Sequence, residues 1–131
     1  GTGAANKLDD YEEGTWTPNI QRQNGSVAAS FNVHSGSATY TKIGNTVNVN
    51  AFINSISAGS SNGNNYWVIY GIPFAGQVID YTAGILGYNS SAANGLYVGD
   101  ASGNAILTLN AAPYSGSLSG EFMLNITFRV T

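Results

Sequence analysis

Glu121-Phe122-Met123-Leu124-Asn125-Ile126-Thr127-Phe128-Arg129-Val130 is the stretch whose reading decides the fold. Phe122, Leu124, Ile126, Phe128 and Val130 alternate with Glu121, Met123, Asn125, Thr127 and Arg129. Strict period two places one set on each face of an extended strand, and a slip of one residue would expose every apolar side chain. Burying each of these side chains stabilises the fold by roughly 1.5–3 kcal/mol. So regular a strand is expected at the centre of a sheet, and its removal should unfold the domain.

Working back from it, the chain reads as strand and turn throughout. Ala38–Ile43 and Thr46–Ile53 flank the two-residue loop Gly44-Asn45, which suits a tight hairpin turn. That register pairs Ile43 with Thr46, Lys42 with Val47, Tyr40 with Val49 and Ala38 with Ala51. One face then carries Ala38, Tyr40, Val47, Val49 and Ala51, and the other Thr39, Thr41, Asn48 and Asn50, with Phe52 the exception on the wet side. Leu96–Val98 and Ala105–Leu109 flank a second turn at Asp100–Gly103. Tyr66–Ile72 is a run of nearly continuous large residues, so both its faces should be covered, one by the core and the other with a neighbouring subunit as its candidate cover. Gln77–Tyr88 reads as another strand or bent pair, with Gly84 and Gly87 as bulge candidates. Thr15–Arg22 is the first strand and Val27–Val33 a short second one. Ala58–Asn65 and Pro113–Gly120 read as loops. Nowhere does a helical period run for three turns, and no fixed repeat is present. Short strands with turn signals at this spacing predict an all-β fold, an antiparallel β-sandwich of jelly-roll type.

Composition narrows the function. At 131 residues one domain is expected, with residues 1–14 as a linker or N-terminal arm and 15–131 as the domain. Charged residues make up only 8%, and Gly, Ser, Thr and Asn take their place. Eight Tyr and five Phe argue against disorder. So little charge favours burial of surface in an assembly. The basic residues Lys7, Arg22, Lys42 and Arg129 are scattered and the net charge is −3, which disfavours nucleic acid. No apolar run is long enough to insert into a membrane as a helix. The chain starts Gly1-Thr2-Gly3, without an initiator Met, and is expected to be part of a longer protein.

Leu8-Asp9-Asp10-Tyr11-Glu12-Glu13-Gly14-Thr15-Trp16-Thr17-Pro18 carries four of the seven acids and one of the two tryptophans. It reads as an acidic, solvated lead-in, a turn at Gly14 and a strand beginning at Thr15, with Trp16 as the buried anchor. Pro18 cannot donate to a ladder and marks an edge or a new segment. The stretch resembles the opening of a C-terminal domain found in bacteriophage tail fibres and tailspikes. Ala38–Val47, with Tyr40-Thr41-Lys42-Ile43-Gly44 at its centre, and Gly71-Ile72-Pro73-Phe74 resemble two later elements of the same family, in the same order. The resemblance implies a homotrimeric β-domain at the distal tip of a virion fibre, used for assembly, for attachment to the host surface, or for both. An alternative is a purely structural trimerisation cap; another is part of a polysaccharide depolymerase.

Chemistry-bearing residues are few. Asp9, Asp10, Glu12 and Glu13 lack the spacing of a calcium loop, and adjacent acids on an extended chain face opposite ways. His34 is the single histidine and there is no cysteine, so no metal site or cofactor is expected. Ser, His34 and Asp80 or Asp100 could meet only in three dimensions, and no strained-serine elbow is present. No catalytic residues are therefore assigned. The aromatic residues beside polar loops are the better lead: Tyr66, Trp67, Tyr70, Tyr88, Tyr97 and Tyr114 form the expected platform for a host surface polysaccharide. Ring faces pack on the C–H faces of sugars, while Asn, Ser and Thr meet the hydroxyls. Sheet packing or a subunit interface would use the same residue types.

Overall fold

The computed structural model describes residues 10–22, 28–59, 66–91, 93–98, 105–109 and 117–131. Among the described residues the protein is all-β with antiparallel pairing, about 66% strand. The strands are β1 (Tyr11–Thr15), β2 (Asn19–Arg22), β3 (Ser30–Val33), β4 (Thr39–Ile43), β5 (Thr46–Ala58), β6 (Trp67–Tyr70), β7 (Thr82–Ala83), β8 (Ile85–Gly87), β9 (Ala93–Val98), β10 (Ala105–Leu109) and β11 (Leu118–Arg129). Among the described residues they form two sheets. The first runs β1-β4-β5-β11-β8, with β3 also paired to β5; the second runs β2-β6-β10-β9-β7.

β11 is central, as its alternation predicts. It pairs with β5 on one side, from Leu118↔Ala58 to Arg129↔Thr46, and with β8 on the other. Phe122, Leu124, Ile126, Phe128 and Val130 are at most 2% exposed. They share one apolar cluster with Val47, Val49 and Ile53 of β5 and with Ile20, Trp67, Ile69, Leu96 and Val98 of the second sheet. The β4–β5 hairpin has the expected register, Ile43↔Thr46 through Tyr40↔Val49, around a Gly44 with φ 60°. β9 and β10 also pair as expected, Val98 opposite Ala105.

Other expectations are corrected. Gly14 is not a turn and Tyr11–Gly14 is not linker: β1 pairs along β4 from Tyr11↔Ile43 to Thr15↔Thr39. The Tyr40 ring lies over Gly14, 2.9 Å from where a Cβ would stand, so a larger residue there would displace the ring. Thr15–Arg22 is not one strand. The chain leaves the first sheet at Thr15 and joins the second at Asn19, breaking at Trp16–Pro18. Pro18 thus marks a new segment. Trp16 is 9% exposed and donates its indole N–H to the Asn50 carbonyl at 3.0 Å. β5 extends through Ala58 and β11 begins at Leu118, so Ala58 and Leu118–Gly120 are strand; the rest of the two expected loops, residues 60–65 and 113–116, lies outside the described residues. Trp67, Val68 and Ile69 are fully buried within the single chain, so β6 requires no neighbouring subunit to cover it. Gln77–Tyr88 is divided between the sheets, β7 in the second and β8 in the first, with Gly84 at the crossing.

β1 is an edge strand held partly by its acids. Tyr40 donates its hydroxyl to Glu12 at 2.8 Å, and Tyr11 donates to Glu13 at 2.6 Å. Each hydrogen bond to a carboxylate holds the phenol in its protonated form and raises its pKa above 10.0. The unfolded phenol therefore releases its proton first as pH rises. The stabilisation is complete below pH 10.0 and is lost as pH climbs through the folded-state values. In a phenolate absorbance titration, Glu12→Gln should move one tyrosine to a lower midpoint. An unchanged titration would contradict the pairing.

Candidate functional site

The outward face of the first sheet follows from its registers. Residues directly paired across strands share a face. Asn50 of β5, Asn125 of β11 and Ile85 of β8 form one row; Phe52, Met123 and Gly87 form the next. Between these rows lies a groove of about 260 Å³ lined by Ser37, Asn50, Phe52, Ile85, Gly87, Met123 and Asn125, with Ala51 and Leu124 at its floor. Every lining residue is uncharged. Ile85 is 67% and Met123 48% exposed, so the apolar walls stand open to solvent.

One end of the groove is aromatic. The Phe52 ring lies 5.5 Å from His34, tilted by 36°, and 5.8 Å from Tyr88, nearly perpendicular to it. Tyr88 is 68% exposed and has a φ of 45°. Left-handed backbone at a bulky residue is sterically costly, by about 1–3 kcal/mol, and such strain clusters at functional sites.

The other end is a closed ring of amides. Asn50 donates to Asn48 at 2.7 Å, Asn48 donates to Asn125 at 3.3 Å, and Asn125 donates to Asn50. Asn48 also donates to the Thr127 hydroxyl at 2.9 Å. A cycle of this kind fixes all three side chains at once, since each bond orients the next. A carboxamide has two donor hydrogens and two acceptor lone pairs. Asn50 and Asn125 thus each keep a donor and an acceptor directed from a rigid base.

The aromatics expected to form a platform are dispersed. Trp67 is fully buried, and the Arg22 guanidinium lies 4.1 Å over its ring, so Trp67 is a core residue and offers no face to a ligand. Burial lowers the Arg22 pKa, but a guanidinium stays charged near neutrality. Tyr66, Tyr70 and Tyr97 are half-buried in the second sheet or at its margin. Tyr88 alone among the described members stands at the groove; Tyr114 lies outside the described residues. Sequence reasoning missed Phe52, Ile85, Met123 and the amide ring as a group. Phe52 as the apolar exception on a wet face and Met123 in the polar phase of β11 were the available signals.

His34 is exposed beside Phe52, and Asp80 pairs with Arg129 at 3.6 Å. Asp9 and Asp100 lie outside the described residues. Among the described residues no three His, Asp or Glu side chains gather as a metal site. Compared with protein-family models, curated proteins and solved structures, the chain finds no match.

Proposed function

We propose that this chain is the C-terminal domain of a bacteriophage tail fibre or tailspike, a non-enzymatic homotrimer that attaches the virion tip to a host surface glycan. In this reading the two sheets pack face to face as a jelly-roll-like β-sandwich, which the apolar cluster drawn from both sheets supports. The observation that carries the binding function is the uncharged groove walled by Phe52, Ile85 and Met123, flanked by Tyr88 at one end and the amide ring at the other.

Trimerisation is assigned to the opposite end of the same sheet. Tyr11, paired with Ile43, and Ile79, whose N–H bonds the Arg129 carbonyl, are 47%, 63% and 43% exposed, and Tyr81 is 79% exposed. Arg129 lies six positions along β11 from Met123, roughly 20 Å of strand. Assembly and ligand binding are therefore separable by substitution. Three weak sites on one trimer, multiplied over several fibres, give strong attachment through avidity.

A binding assay on isolated bacterial surface polysaccharides tests this directly. Met123→Lys should weaken binding at least tenfold, about 1.4 kcal/mol, and leave the oligomeric mass unchanged. Ile43→Glu should lower the mass. Silence of the wild-type chain across such polysaccharides would favour a structural cap without ligand. Release of reducing sugar from them would favour a depolymerase.

A further inference from the structure

Resting on that reading, we infer that the groove takes the acetamido group of a neutral N-acetylhexosamine. The volume, about 260 Å³, lies just below the usual small-molecule range of roughly 300–1,000 Å³, which suits one substituted ring. The walls around Phe52, Ile85 and Met123 are apolar. A plain hexose pressed into them would leave hydroxyls without partners, each losing the hydrogen bonds it makes with water. An acetyl methyl makes no such demand.

The amide chemistry sits where the acetamido group needs it. With the methyl among Phe52, Ile85 and Met123, the ligand's carbonyl and N–H reach the rim formed by Asn50 and Asn125. Each of these keeps one donor and one acceptor beyond the ring. Amide–amide pairing uses both partners of the acetamido group. Tyr88, edge-on against Phe52, closes the methyl's end of the groove.

Charge argues against acidic sugars. No lining residue is charged. The nearest cation along β11 is Arg129, four residues beyond Asn125 and paired with Asp80. A uronate carboxylate would lose hydration here without gaining a counter-charge, and the one carboxylate bordering the aromatic end, Glu121 beside Tyr88, would repel it.

Saturation-transfer NMR on the full chain tests the inference, with N-acetylglucosamine and N-acetylgalactosamine against glucose, galactose, glucosamine and glucuronate. The acetylated sugars should bind with millimolar affinity, and their methyl protons should receive the strongest saturation. The other sugars should bind at least tenfold more weakly. Met123→Lys and Tyr88→Ala, both at exposed positions, should reduce the methyl signal at least tenfold while the circular dichroism stays native. Equal binding of glucose or glucuronate, or a methyl signal indifferent to Met123→Lys, would overturn the assignment. Polysaccharide binding that is sensitive to Met123→Lys, with no acetylated monosaccharide bound, would overturn the ligand class and leave the groove as the attachment site. Absence of both would overturn both readings.

Discussion

A chain cut after Ser117 is expected to lose its cooperative unfolding transition altogether. The cut removes β11, and with it the shared partner of β5 and β8. Phe122, Leu124, Ile126, Phe128 and Val130 leave the core together, each buried side chain worth roughly 1.5–3 kcal/mol. The sum is comparable with the whole net stability of a domain, about 5–15 kcal/mol. Thermal melts followed by near-ultraviolet circular dichroism would check it, and a truncated chain that still melted sharply would show that β11 is not central. Phe128→Ala gives a graded version, with an expected loss of about 3–5 kcal/mol in chemical denaturation.

Gly71→Ala should produce the second large effect, a loss of about 2–4 kcal/mol from backbone strain and a displaced neighbour. Gly71 has φ 90°, where a side chain is strained, and a Cβ there would run into the Thr17 carbonyl oxygen. Backbone meets backbone, so no flexible side chain can give way. The collision would push β6 away from the Trp16–Pro18 crossing and disturb the Trp16 anchor. Gly76→Ala is the matched control, because a Cβ at Gly76 meets nothing within 4 Å. Chemical denaturation of both variants measures the difference. Equal stability of the two would contradict the packing described around Thr17.

What could be read from the sequence follows how local each interaction is. The Gly44-Asn45 hairpin was legible because two adjacent residues set its register, and the alternation in β11 was legible because one strand contains it. β1 was not. Gly14 resembles a turn residue until the Tyr40 ring, from a strand far along the chain, is laid over it. Thr15–Arg22 looked continuous, although Pro18 already signalled the break that sends β1 and β2 to different sheets.

The candidate site was less legible than the fold. Aromatic residues beside polar loops are visible in a sequence, but their exposure depends on which sheet covers them. Trp67 goes into the core, whereas Tyr88 stays out. The groove itself depends on Asn50 and Asn125 meeting although they stand 75 positions apart in the chain. Neither asparagine is unusual where it stands. Only the β5–β11 register turns them, with Asn48, into a ring and sets Phe52 beside Met123.

The mass in solution, measured by light scattering at micromolar concentration, tests the central claim most directly. The account predicts about three times the 13.6 kDa of one chain, falling toward one chain in Ile43→Glu and unchanged in Met123→Lys. A wild-type mass of 13.6 kDa would contradict it.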